Sequence, residues 1–228
     1  ITKLTTAADS NFLGNPTGGI AGGVGSNIQI QSVGYPTNSF LVYRQVYQDG
    51  KPVEGQFEDL NGDGRINEKD QYRYKQAAPT SFYGINTSVN YKKLTVGMVL
   101  RGSFGNYVYN NIYSDKGNRN AAFLQTGYVN NISGNYLETG FTGKPVGGAS
   151  TDQIRLSDYY VQNASFIRFD NLFVSYNFGE ITKKFSLAAN FNVQNAFFIS
   201  NYKGIDPEIG GGIDNAFYPR PRVFTLGL

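Results

Sequence analysis

The stretch DLNGDGRINEKD at residues 59–70 places oxygen-bearing side chains at loop positions 1, 3, 5, 9 and 12, namely Asp59, Asn61, Asp63, Asn67 and Asp70. The backbone carbonyl of Arg65 falls at position 7, and Gly64 occupies the sharp turn. A hard cation wrapped by a short loop needs this spacing, because alternate residues point their oxygens inward while glycine permits the turn; Ca2+ is the ion expected. Position 12 carries Asp where the longer Glu normally reaches in with both oxygens. The competing reading is an Asx- and Gly-rich turn that folds on its own hydrogen bonds without metal.

Other chemistry is poorly provided for. The 228 residues contain no His and no Cys, which removes the usual general base, thiolate nucleophiles, disulfides and most transition-metal sites. Asp206, Glu208 and Asp214 lie in GIDPEIGGGID (204–214), and a pair of carboxylates at a suitable separation is the equipment of a glycosidase. Nothing in the sequence fixes that separation, so no enzyme and no catalytic residue is expected. Tyr107, Tyr109, Tyr113, Tyr128 and Tyr159 are interspersed with Asn and Gly between 105 and 164. Such rings stack on sugars or hold a peptide, and they serve loop packing equally well. Arg101, Arg168 and Asp170 suit ordinary cross-strand charge pairing. A formal charge of +3 spread along the chain does not indicate a nucleic-acid partner.

The elements that position these groups read as strands. FYGINTSVNY (82–91) alternates Tyr83, Ile85, Thr87, Val89 and Tyr91 with Gly84, Asn86, Ser88 and Asn90. After Lys92-Lys93 the pattern resumes with Leu94, Val96, Met98 and Leu100 on one face, which predicts a hairpin. It returns in 166–178, in 185–195 after a connection at 179–184, and in 222–228; less regular candidates are 26–33 and 39–47 around a turn at 35–38. The polar faces are small and amide-rich, whereas exposed faces of soluble sheets are usually charged. No apolar run approaches the roughly 18 residues of a membrane-spanning helix, but a barrel strand needs only about 10 alternating ones. Short turns alternate with long stretches at 49–81, 105–164 and 196–221, so all long segments fall at one end. The expectation is an all-β, transmembrane antiparallel barrel of which about seven strands are present, hence part of a longer polypeptide. A soluble or surface β-domain binding glycan or protein is the alternative.

The sequence resembles the C-terminal barrel region of the SusC/RagA family of TonB-dependent outer-membrane transporters of Bacteroidetes. The resemblance rests on ITKL (1–4), VGYPTNSFLVYRQVYQDG (33–50), the 59–71 loop, FYGINTSVNY, NASFIRFDNLFVSYNF (163–178) and the ending DNAFYPRPRVFTLGL (214–228). It implies the C-terminal portion of a barrel of about 22 strands, with the plug domain outside residues 1–228 and extracellular loops at 49–81, 105–164 and 196–221. It further implies import of glycans or peptides in the outer membrane, a SusD/RagB-like surface lipoprotein partner, and energy from the TonB–ExbB–ExbD system through an N-terminal part. The family's last strand continues into an aromatic end, so further residues are expected after Leu228.

Overall fold

A computed structural model of the chain describes residues 14–20, 27–123 and 128–228. ITKL and Ser26 lie outside them. The first half supplies β1 (Asn15–Gly19), β2 (Asn27–Gln31), β3 (Ser39–Tyr43), β4 (Gln45–Gln48), β5 (Lys51–Phe57) and β6 (Gln71–Gln76). The long strands β7 (Ser81–Tyr91) and β8 (Leu94–Phe104) follow, then the short β9 (Tyr107–Asn110). Four short helices come next: α1 (Asn111–Lys116), α2 (Arg119–Ala122), α3 (Tyr136–Thr139) and α4 (Thr151–Arg155). The chain then forms β10 (Val161–Asn163), the longest strands β11 (Phe166–Thr182) and β12 (Phe185–Ser200), β13 (Ile213–Asp214) and β14 (Val223–Gly227). No helix among the described residues is long and apolar enough to cross a membrane.

Five strands make one open antiparallel sheet in the order β14-β12-β11-β8-β7. Their register aligns the alternation predicted above across the whole sheet. Val89, Val96, Val174, Phe191 and Leu226 form one row, and Thr87, Met98, Leu172, Val193 and Phe224 the next. The opposite face carries the row Ser88, Gly97, Phe173, Asn192 and Thr225, and beside it Asn90, Thr95, Ser175, Asn190 and Gly227. Among the described residues no second sheet covers the apolar face. Val89 is 65% exposed and Leu226 74%. At Gly97 the aromatic ring of Phe173 lies so close that a Cβ would meet it at 2.3 Å; the ring fills the surface a larger residue would have supplied.

The short connections between long strands lie at one end, at Lys92–Lys93 and Lys183–Lys184, and the long connections lie at the other. At that end the chain builds a compact cap. It contains a four-stranded sheet in the order β1-β2-β3-β6, the β4–β5 hairpin and the β10-β9-β13 sheet. Ile28, Phe40, Val42, Phe57, Tyr109, Ile154, Tyr160 and Val161 share its main core. Three of the four short helices, α1, α2 and α4, start on side-chain caps from Asn110, Asn118 and Ser150, which satisfy otherwise orphan N–H groups.

Three sequence expectations change. Segments 27–33 and 39–47 do form strands, but β2 and β3 pair in the four-stranded cap sheet and β4 pairs with β5, so the long sheet has five strands where about seven were expected. The second segment breaks at Arg44 because the Tyr43 N–H bonds the Leu156 carbonyl and the Gln45 N–H turns to Asp158. The stretches 49–81 and 105–164 are structured cap elements, and the turn expected at 179–184 shrinks because β11 continues to Thr182 past bulges near Gly179. The sheet is open, and no closed barrel is seen among the described residues.

Candidate functional site

The rim where the long sheet meets the cap concentrates the charged chemistry. Arg168 on β11 stands directly opposite Arg101 on β8, on the amide-rich face. Arg101 donates through Nε to Asp170 (2.6 Å) and through both terminal nitrogens to Glu208 (2.5 and 2.9 Å). Arg168, only 1% exposed, donates to Asp206 (2.5 Å) and to the Asn195 amide oxygen (2.8 Å), with its Nε 3.3 Å from Glu208. Arg220 completes the set by donating to Glu208 at 2.7 Å. Planar guanidinium groups suit such multi-point pairing. Burial pushes the Glu208 carboxyl upward, but hydrogen bonds from Arg101 and Arg220 outweigh it and hold the group below its usual range. Phe166 and Phe198 flank the Arg168 guanidinium at 5.5 and 5.0 Å.

Asp206 and Glu208 are therefore arginine partners, and Asp214 accepts the Tyr202 hydroxyl at 2.7 Å. Burial, followed by that bond, raises the Tyr202 phenol. All three carboxylates are thus engaged, two by arginine and one by a phenol. Sequence reasoning named Arg101, Arg168 and Asp170 but missed Asn195 and the ion pair of Arg220 with Glu208. Asn195 sits at positive φ in a bulge of β12 and donates to the carbonyls of Arg220 and Pro221, tying the approach to β14. The available signal was the residue type, an Asn, which tolerates positive φ, inside an alternating run.

The five tyrosines separate. Tyr109 is fully buried, donates to the Arg155 carbonyl at 2.7 Å and meets Tyr160 edge-on, so it belongs to the cap core and is withdrawn as a substrate contact. Tyr113 and Tyr159 are partly buried against the same core. Tyr107 is half-buried beside Tyr74, with the Lys75 ammonium 5.2 Å from both rings. Tyr128 is 60% exposed.

The 59–70 loop closes on itself. Asp59 accepts from the N–H groups of Gly62 and Gly64, Asn61 from Asp63, Asp63 from Arg65, and Asn67 from Lys69. Asp70 is buried with its oxygens on the N–H groups of Leu60, Asn61 and Asn67. These bonds, the one from Asn67 first, outweigh burial and hold its carboxyl below the ordinary range. The amides of Asn61 and Asn67 point nitrogen at Asp63 Oδ2, at 3.1 and 3.5 Å, and the Arg65 carbonyl accepts from Asn67 at 3.2 Å. In this arrangement a cation would need both amides rotated to present oxygen and Asp70 left as the backbone anchor. Among the described residues no three acidic side chains converge as a metal site.

The fold and rim together define part of an all-β protein whose long antiparallel sheet is apolar and uncovered on one face and amide-rich on the other. TonB-dependent receptor SusC of Bacteroides thetaiotaomicron is 38% identical over 235 residues, covering 100% of this chain and 23% of that protein. TonB-dependent receptor P3 of Formosa agariphila is 26% identical and covers 82% of this chain. In structure, the chain is similar to the RagAB peptide transporter, with a TM-score of 0.60 over 87% of its length at 24% identity. The RagAB peptide importer in the closed-closed state gives 0.61 over 89% at 20% identity. No family model matches. The chain belongs to the SusC/RagA family of TonB-dependent receptors, and it spans about a quarter or less of the length of these relatives, at 23%, 21%, 23% and 24%.

Proposed function

We propose that this chain is the C-terminal part of the barrel of an outer-membrane importer of bulky nutrients, glycans or peptides. The observation that carries the reading is the long sheet, with one unbroken, uncovered apolar face opposite an amide-rich one and its long connections gathered at one end. Lipid against the first face and a water-filled lumen against the second account for both. A soluble β-sandwich would bury the apolar face against another sheet, and none lies there among the described residues. The edges of β7 and β14 pair in the proposal with strands from the rest of the polypeptide. The stretches 49–81, 105–164 and 196–221 are then extracellular, and the cap they form with the segment preceding 49 faces a SusD/RagB-like lipoprotein. TonB–ExbB–ExbD acts through an N-terminal plug-bearing part. The chain's role is transport, without catalysis.

Half-buried Tyr107, Tyr113 and Tyr159 and exposed Tyr128 remain candidates for cargo contact. Calcium enters the proposal as a brace of the 59–70 loop, held by Asp59, Asn61, Asp63, Asn67 and the Arg65 carbonyl. The reading is tested by extracting the natural polypeptide from outer membranes in detergent and measuring its intact mass, co-purifying lipoprotein and bound oligosaccharide or peptide. A species much heavier than 25.1 kDa with such a lipoprotein is expected. A detergent-free soluble protein of that mass would overturn it.

A further inference from the structure

The segment from Asn201 to Asp214 leaves the rim end of β12 and crosses the amide-rich face to the cap. Asp206 and Glu208 reach arginines on β11 and β8 in turn. Beyond them, the Gly211 carbonyl accepts from Gln29 at 2.6 Å, and Gly212 lies so close to Ala77 that a Cβ would meet it at 2.3 Å. Ile213 and Asp214 then pair with Tyr109 and Asn110. The segment is thus tied to the sheet at its middle and to the cap at its far end, and it buries Arg168 and Pro207. Further along the same face, toward the short turns, Ser88 and Asn190 are exposed.

Resting on the barrel reading above, we infer that residues 201–214 are an inward-folded strap that narrows the mouth of the lumen and limits cargo size, with Glu208 as its latch. One carboxylate pairs with Arg101 from β8 and Arg220 from the approach to β14 and lies 3.3 Å from the Nε of Arg168 on β11, so its charge meets all three arginines at one point. Three carboxylates, Asp170, Asp206 and Glu208, balance three arginines. The strap therefore brings the two carboxylates, Asp206 and Glu208, that neutralise the cluster, and with the charges balanced its selection is by bulk.

The test uses the full-length transporter in outer-membrane vesicles, with no other cysteine, carrying either Ser88→Cys on the lumen face or Val89→Cys beside it on the lipid face. Labelling rates are compared for a small water-soluble maleimide and a bulky polymer-linked one. With Glu208→Gln, labelling of Ser88→Cys by the bulky reagent should rise about tenfold while the small one changes little. That is the change in local opening expected when one charged hydrogen-bond set weakens. If Glu208→Gln fails to give the heat-modifiable band of a folded barrel, the exposed partner's variant Arg220→Gln decides, with a smaller rise in the same direction. Unchanged bulky labelling in a folded variant overturns the strap while leaving the barrel intact. Equal labelling of Ser88→Cys and Val89→Cys by the small reagent overturns the barrel reading, and the strap with it.

Discussion

Arg101 and Arg168 face each other directly across β8 and β11 on one face of the sheet. Like charges in that register repel. What makes the pair tenable is not local: Asp170 is a strand neighbour, but Asp206 and Glu208 arrive from a connection far along the chain. The rim and the connection therefore depend on each other.

Removing Asp206 should be costly because Arg168 is buried and would lose its shortest contact. Asp206→Ala is expected to lose about 3 kcal/mol, the lower end for breaking a buried pair from one side. Adding Arg168→Met, which removes the stranded charge, should recover a large part of that loss. The gel-shift unfolding temperature of the detergent-purified transporter reads both. Additive losses in the double variant would contradict the pairing.

Gly97 and Phe173 make a second coupled pair. Gly97→Ala places a Cβ against the Phe173 ring and should cost about 1–3 kcal/mol, as overpacking does. Phe173→Ala exposes the glycine, and the double variant should be more stable than the sum of the singles implies. The same thermal gel shift measures this, and an uncoupled result would remove the ring from its assigned role.

Much of the long sheet was legible because alternation over ten or more residues survives any context. Strands 82–91 and 94–103 match β7 and β8 closely for that reason. Phe40 and Val42 alternate just as well, yet they sit in the cap; a period of two shows that a face is buried and is silent about which sheet buries it. The β4–β5 hairpin had a local signal that went unread. Asp49 and Gly50 both take positive φ, as an Asp-Gly turn in a tight hairpin does. The latch had no local signal, since Glu208 and Arg101 lie more than a hundred residues apart. Tyr109 read as a loop residue because its strand β9 has only four residues, too few for a period of two to declare itself, and the helices that follow are equally short.

Asp70 and Asp158 should respond to pH with opposite signs. The Asp70 carboxyl is held below its ordinary value, so its stabilisation is complete above about pH 4 and is lost as pH falls through the folded value. Asp158 is raised by burial, over the opposing Tyr72 hydroxyl, Gln45 N–H and Arg44 charge. Its contribution is therefore full below about pH 4 and is lost as pH rises through the folded value. Asp158→Asn should raise the cap's unfolding temperature near neutrality and lose that advantage in acid. Asp70→Asn should speed tryptic cleavage at Arg65 and Lys69 near neutrality. A fall in the unfolding temperature of Asp158→Asn at neutral pH would refute the sign assigned to Asp158.

The two faces of the long sheet predict unequal tolerance to charge. Val174→Lys and Phe191→Lys put an ammonium on the apolar face and should cost about 2–4 kcal/mol where the bilayer is deepest. Ser175→Lys and Asn190→Lys, one residue away on the opposite face, should be nearly neutral. Folded yield in outer membranes and the urea midpoint in liposomes report the difference. Equal tolerance on both faces would remove lipid from the apolar side.

Calcium binding in the 59–70 loop has a structural cost that shapes its test. Turning the Asn61 and Asn67 amides toward an ion surrenders the bonds that Asn61 Oδ1 and Asn67 Oδ1 accept from the N–H groups of Asp63 and Lys69. Asp70 is committed to three N–H groups, so the ligand set lacks its position-12 member. Affinity should therefore fall in the millimolar range typical of extracellular modules, sufficient outside the cell. Adding calcium to the intact transporter should slow tryptic cleavage at Arg65 and Lys69, magnesium should do so much less, and Asp63→Ala should abolish the effect. Protection that is the same with Asp63→Ala, or the same with magnesium, would leave the loop as a metal-free Asx turn.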